Sequence, residues 1–228
     1  ISLAHTGITG LQRDVAVDYA YTGTLDGGGK ILTVAAGEIY GYRGTTNAPA
    51  SKDTAGSGQI HGHSQVGVFS TANATVNNLT VGGDMNLYFR TNTTDTSTTY
   101  LAGGLVAKNT DTSTYTNMTT SVNIQYQGTT SGSIGGLVGY GSALTLTNCT
   151  GSATINAGNS AVYAGGLIGQ YTGSTLAVSN TTLSGTMTAN EANHARLGGL
   201  VSRIANGNYN NVTVTLTGIT VNGQTITG

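Results

Sequence analysis

Ala102-Gly103-Gly104-Leu105-Val106, Ile134-Gly135-Gly136-Leu137-Val138, Ala164-Gly165-Gly166-Leu167-Ile168 and Leu197-Gly198-Gly199-Leu200-Val201 are four statements of one phrase, and Val66-Gly67-Val68-Phe69 is a worn fifth. Measured between the marker glycines, Gly67, Gly104, Gly136, Gly166 and Gly199 are 37, 32, 30 and 33 residues apart. A period in this range, in a chain rich in Gly and Thr, marks a stacked repeat array. Each unit of such an array buries its apolar face against its neighbours.

A second marker sets the register. Eleven to fourteen residues after each marker glycine stands an asparagine: Asn78, Asn117, Asn148, Asn180 and Asn211. Around each of them the apolar phase slips by one residue. Leu144 and Leu146 precede Asn148, whereas Cys149, Ala153 and Ile155 follow it. Leu176 and Val178 give way in the same manner to Leu183 and Met187, and Val76 to Leu79 and Val81. Side chains alternate across a strand with period two, so a slip of one residue means that the chain turns a corner. Asn suits such a corner because it tolerates an unusual backbone conformation and its amide satisfies local backbone groups. Identical residues at equivalent corners stack as a ladder.

Two residues after each marker asparagine comes Thr80, Thr119, Thr150, Thr182 or Thr213. Gly82, Ser121, Ser152, Ser184 and Thr215 follow two places later, then Asp84, Asn123, Thr154, Thr186 and Thr217. These are expected to form parallel outward columns of small polar residues, a candidate packing face, while Val81, Val122, Ile124, Ile155, Leu183, Val214 and Leu216 fill a narrow core. The expected fold is all-β, a β-solenoid (single-stranded β-helix) of about six coils with Gly-Gly-Leu-Val repeats. At ~4.8 Å per coil this is a rod of roughly 30 Å, short enough to be a unit of something larger. Residues 1–228 read as a single domain, with 1–21 as an N-terminal cap and 36–64 as a loop insertion that breaks the rhythm. Residues 90–100 read as a second protruding loop.

Composition narrows the function classes. Charged residues are 7% of the chain and the formal net charge is −1, so there is no basic surface for nucleic acid. No apolar run of about 18 residues occurs, and no transmembrane segment is expected. The chain begins at Ile1 without a methionine or signal peptide and is read as a processed mature chain or an excised fragment. The one cysteine, Cys149, falls on an inward position and reads as a small buried hydrophobe.

Tyr21-Thr22-Gly23-Thr24-Leu25-Asp26-Gly27-Gly28-Gly29-Lys30-Ile31-Leu32, followed by the Gly-Gly-Leu-Val-Gly repeats, resembles the GLUG-repeat family of bacterial and archaeal extracellular surface proteins. The best-matching copies are Gly135-Gly136-Leu137-Val138-Gly139 and Gly165-Gly166-Leu167-Ile168-Gly169, and the likeness covers approximately residues 20 to 225. Ala107 and Ser202 depart from it at the final glycine. The resemblance implies a β-helical module of long extracellular proteins, including adhesins and the non-catalytic regions of some immunoglobulin-A-cleaving metallopeptidases. It brings no catalytic residue with it, and His-Glu-x-x-His is absent.

Each piece of chemistry has an ordinary explanation that outweighs it. His61-x-His63 would need a third ligand, and only His5, His194 or Asp53 are available for a metal, so these read as loop histidines. Asp26-Gly27-Gly28-Gly29 reads as a strand-joining turn. A polysaccharide-active enzyme needs paired carboxylates, yet the nine acids share no repeat position. No enzyme activity, cofactor or metal is expected. Five of the seven Asn-x-Ser/Thr sequons are the marker asparagines, read as turned inward, which leaves Asn73 and Asn92 as candidate glycosylation acceptors. The stretch 212–227 reads as one continuous strand with a bare edge. The functional expectation is a non-catalytic structural protein at the cell surface or in the cell envelope, a homo-oligomer that builds a sheath, layer, filament or stalk. The alternative is an adhesin module that binds a host protein or glycan through a loop containing Tyr40, Tyr42 and Arg43. An ice-binding face or a polysaccharide-active enzyme ranks below both.

Overall fold

The computed structural model describes residues 20–42, 65–90, 100–126, 131–158, 162–189, 195–205, 213–217, 219–221 and 224–226. All regular structure among them is β-strand. The chain first runs as one long strand, β1 (Ala20–Tyr42), and its second pass is β2 (Gln65–Val66) and β3 (Phe69–Arg90). The third pass is β4 (Tyr100–Gly103), β5 (Val106–Lys108), β6 (Thr112–Thr116) and β7 (Thr119–Tyr126). The fourth is β8 (Gly132–Gly135), β9 (Val138–Gly141), β10 (Ala143–Thr147), β11 (Thr150–Gly151) and β12 (Thr154–Asn156). The fifth is β13 (Val162–Gly165), β14 (Ile168–Tyr171), β15 (Thr175–Ser179), β16 (Thr182–Leu183) and β17 (Thr186–Thr188). The last comprises β18 (Arg196–Gly198), β19 (Val201–Ile204), β20 (Thr213–Thr217), β21 (Ile219–Val221) and β22 (Gln224–Ile226).

Apart from β22, the strands pair in parallel with their counterparts one pass away. β2, β4, β8, β13 and β18 make a five-stranded sheet, and the remaining strands join a curled 17-stranded sheet. Parallel neighbours need a long crossover between them. Here the rest of each pass supplies it, with no helix among the described residues. The arrangement is compatible with a β-solenoid.

The core lies inside the curl and follows the alternation. Leu144 and Leu146 are buried before Asn148, then Cys149, Gly151, Ala153 and Ile155 after it. Tyr100, Tyr115, Tyr126 and Tyr171 are among the largest fully buried side chains. Burial pushes the pKa of the Tyr115 hydroxyl up to about 12. Burial also raises the Cys149 thiol, whose Sγ lies 3.6 Å from the carbonyl oxygens of Tyr115 and Thr147, so this is a packing residue with little thiolate character.

The paired glycines turn the chain from the small sheet into the large one, and space dictates their identity. A Cβ on Gly135 would collide with the Val138 carbonyl oxygen. One on Gly136 would collide with the Gly166 carbonyl oxygen of the next pass and stand 2.7 Å from the Ala153 Cβ. The pair Gly103 and Gly104 meets the same two carbonyl obstacles, from Val106 and Gly136, as does the pair Gly165 and Gly166, from Ile168 and Gly199. The first glycine allows the sharp bend; the second allows two backbones to approach.

Three expectations change. The insertion expected from residue 36 does not begin there, because β1 stays paired with β3 as far as Tyr42 opposite Arg90. Residues 43–64 lie outside the described residues, as do 1–19 of the expected cap and 91–99 of the second loop. Asp26-Gly27-Gly28-Gly29 is a corner within β1, where the register against β3 shifts between Asp26 and Lys30 and Gly28 and Gly29 take φ of 56° and 71°. The C-terminal stretch is not one continuous strand, although β20 pairs only with β15 among the described strands and keeps one unpaired edge. β22 folds back antiparallel on β21, Ile219 opposite Ile226 and Val221 opposite Gln224. The residues between them in sequence, Asn222-Gly223, are the pair best suited to a two-residue hairpin.

Gly136→Ala is expected to lower stability by ~3 kcal/mol or more, because the added methyl meets packed backbone and core. Gly199→Ala, where a Cβ meets nothing within 4 Å, is expected to change it by no more than about 0.5 kcal/mol. Chemical denaturation of the two variants beside the parent checks the contrast; equal losses would contradict the stacking role of the second glycine.

Candidate functional site: outward columns and an asparagine ladder

Asn78, Asn117, Asn148 and Asn180 take φ of 52°, 53°, 53° and 48°, the left-handed region that Asn visits more readily than other residues with a Cβ. This conformation swings the chain round the corner. Asn117 Nδ2 donates to Asn78 Oδ1 at 2.8 Å, and Asn148 Nδ2 to Asn117 Oδ1 at 3.1 Å. Asn78 Nδ2 donates in turn to Asp26 Oδ1 at 3.1 Å. Asp26 therefore starts the ladder, and a carboxylate suits that place because it only accepts. The Gly28 backbone N–H, followed by the Asn78 amide, holds its carboxyl below the ordinary value. Asn211 lies outside the described residues.

The ladder runs along the outside of the corner. Asn117, Asn148 and Asn180 are exposed, which corrects the expectation that corner asparagines turn inward. In the left-handed conformation the side chain continues neither apolar row but stands at the rim between them.

The outward columns follow from the register. Ile31, Thr80, Thr119, Thr150, Thr182 and Thr220 stand opposite one another in successive passes. Ile31 heads the column with 70% of its surface exposed. Thr213 is not in this column: it lies opposite Thr175, and Thr215 and Thr217 lie opposite Ala177 and Ser179. The chain thus carries its extra residues in the last pass before β20, which moves the corner position beyond Thr217. A neighbouring column runs Asp84, Asn123, Thr154, Thr186, with Asn123 Nδ2 donating to Asp84 Oδ1 at 2.9 Å.

A second hydroxyl-rich face lies on the other side of the corner, beyond the columns expected after the marker. Thr24, Thr75, Thr114, Thr145 and Ala177 align there, as do Asn77, Thr116, Thr147 and Ser179. Ser179 Oγ donates to Thr147 Oγ1 at 3.3 Å. Its signal stands in the sequence before the markers, with Thr75, Thr114 and Thr145 three residues before Asn78, Asn117 and Asn148, and Thr116, Thr147 and Ser179 one residue before Asn117, Asn148 and Asn180.

The other candidate residues are scattered. Tyr40 and Tyr42 belong to β1, opposite Tyr88 and Arg90; Arg43 lies outside the described residues. Asn73 is engaged: its Oδ1 accepts from the backbone N–H of Thr110 at 3.1 Å and of Asp111 at 3.0 Å, so it caps a bend between β5 and β6. Asn109, fully buried at the same bend, donates to the Ala72 carbonyl at 3.2 Å and accepts from the Ser142 N–H at 3.2 Å, tying three passes together. Nothing in the repeats points to it. Asn92, His5, His61, His63, His194 and Asp53 lie outside the described residues. Among the described residues no group of three or more side chains could hold a metal ion.

Asn148→Ala is expected to cost ~2 kcal/mol, combining left-handed strain with a lost hydrogen bond. Asn148→Gly, which keeps the backbone freedom, is expected to cost about half as much. Urea denaturation measures both, and equal costs would assign the asparagine to the ladder bond alone. Compared with protein-family models, with curated proteins and with solved structures, the chain matches none of them.

Proposed function

We propose that the chain is a non-catalytic structural β-solenoid of about six coils, an extracellular cell-surface unit of the kind that the GLUG-repeat resemblance implies. It associates with its own copies to build a sheath, layer, filament or stalk. The observation that carries this reading is the alignment of Thr80, Thr119, Thr150 and Thr182 in one outward column, with a second hydroxyl-rich face across the asparagine corner.

Two properties of these columns favour contact between copies. Their spacing is that of parallel strands, ~4.8 Å, so two faces of the same chain match rung for rung. Their side chains are small and almost uncharged, so little self-repulsion opposes close approach. At the C-terminal end β22 covers the outer edge of β21 alone, and β18, β19 and β20 have no outer partner among the described strands; the matched hydroxyl faces are what make lateral packing the contact proposed here.

Sedimentation and negative-stain electron microscopy across a concentration series test this directly. The parent chain is expected to form ordered lateral assemblies, and the triple variant Thr119→Lys, Thr150→Lys, Thr182→Lys to remain single with an unchanged circular dichroism spectrum. Single rods of the parent chain at the highest concentration reached would overturn the reading.

A further inference from the structure

Two more columns flank the Gly-Gly-Leu corner on its outer side, and they differ in character from the hydroxyl faces. In the small sheet Arg196 of β18 stands opposite Tyr163 of β13, which stands opposite Ser133 of β8. In the large sheet Arg203 of β19 stands opposite Gln170 of β14, and the same column carries Lys108 two passes before Gln170. Hydrogen bonds cross between the columns: Ser133 Oγ donates to Gln170 Oε1 at 3.1 Å, and Arg203 Nη1 to the Tyr163 hydroxyl at 2.7 Å. Together they form one polar strip that runs along the stack.

Arg196 and Arg203 converge at one end of this strip. Arg196 Nη1 also donates to the Tyr163 hydroxyl at 2.7 Å, and the guanidinium carbons of Arg196 and Arg203 lie 5.1 Å and 4.8 Å from the centre of its ring. Two cations thus meet on one phenol, and neither has a carboxylate partner among the described residues. Like charges held together repel unless an anion joins them. The phenol oxygen accepts from both arginines, which leaves its own proton to donate outward. Asp26, Asp84 and Asp111 are engaged elsewhere on the molecule.

We propose that Tyr163, Arg196 and Arg203 form an oxyanion-binding site whose occupant is the carboxylate or sulfate group of an acidic polysaccharide lying along the strip. The planar forks of two arginines suit the paired oxygens of such groups. Gln170, half-buried in the column of Arg203 and held by the buried Ser133 hydroxyl, offers its amide to sugar hydroxyls, and Lys108 offers a second cation two passes further along. An extended peptide binds a sheet through unpaired backbone; Ser133, Tyr163 and Gln170 lie on strands paired on both edges, whereas β18 and β19, which carry the arginines, have one partner each among the described strands, so an acidic peptide is the competing occupant that the test must separate. The site is independent of whether copies of the chain assemble.

The test is titration of the full chain with polygalacturonate, a carboxylated polymer, and with heparin, a sulfated one, at low salt. Amylose and poly-L-glutamate are the neutral and peptidic controls. One or both acidic polysaccharides are expected to bind, with affinity that falls as salt rises. Arg196→Gln with Arg203→Gln is expected to weaken binding at least ~ten-fold. Arg196→Lys with Arg203→Lys should recover part of it, and Lys30→Gln, in β1 and away from the strip, should leave it unchanged. The proposal fails if neither polysaccharide binds, or if the Gln variant binds as the parent does. It also fails if poly-L-glutamate binds as tightly as the polysaccharides, which would make the site a reader of acidic peptides, or if free sulfate at equal charge competes fully.

Discussion

The structure depends on the contact between backbones at the second glycine of each pair. Where Gly136 faces Gly166, a Cβ would run into the opposing carbonyl oxygen. No side chain larger than hydrogen fits. Because this contact recurs between successive passes, the passes rest on one another at the spacing of hydrogen-bonded strands. Parallel pairing, the curled sheet and the one-residue-per-pass columns follow from it. A buried aliphatic core alone would not impose this register, since apolar packing is non-directional.

The asparagine corner converts that stacking into a shape. The left-handed residue turns the chain and lets the inward row restart one position later, so apolar side chains fill the interior on both sides of the bend. The outward row restarts as well, which produces hydroxyl columns on two faces instead of one. Asp26 at the head of the ladder gives the row of amides a common direction, each donating toward the preceding pass. The proposed lateral assembly and the proposed anion site both use surfaces that this stacking generates, but with opposite chemistry: one lacks charge, the other concentrates it.

Much of this is legible in the sequence because it is repeated. The Gly-Gly-Leu phrase, the slip from Leu146 to Cys149 and the column from Thr80 to Thr182 each recur with a constant letter. In the last pass the letters deceive. Asn211-Val212-Thr213 imitates the corner motif, yet Thr213 stands opposite Thr175 and not opposite Thr182. Thr217 stands opposite Ser179 and Thr220 opposite Thr182, so Thr220 is the counterpart of Thr182 in the last pass. The arginine pair on Tyr163 cannot be read from repetition, because Ser133, Tyr163 and Arg196 share a column without sharing a chemistry. Asn109 is similarly a single solution to one bend, and only the three-dimensional register reveals what it joins.

The most direct test of that register is a cross-link between passes. Thr150 and Thr182 are Cα partners on adjacent parallel strands, a separation of ~4.8 Å that a disulfide spans. Cysteines placed at Thr150 and Thr182, in a chain with Cys149→Ala, are expected to oxidise rapidly to an intramolecular bridge. The offset pair Thr150 and Thr186 should remain reduced under the same conditions. Efficient bridging of the offset pair with none between Thr150 and Thr182 would contradict the stacking described here.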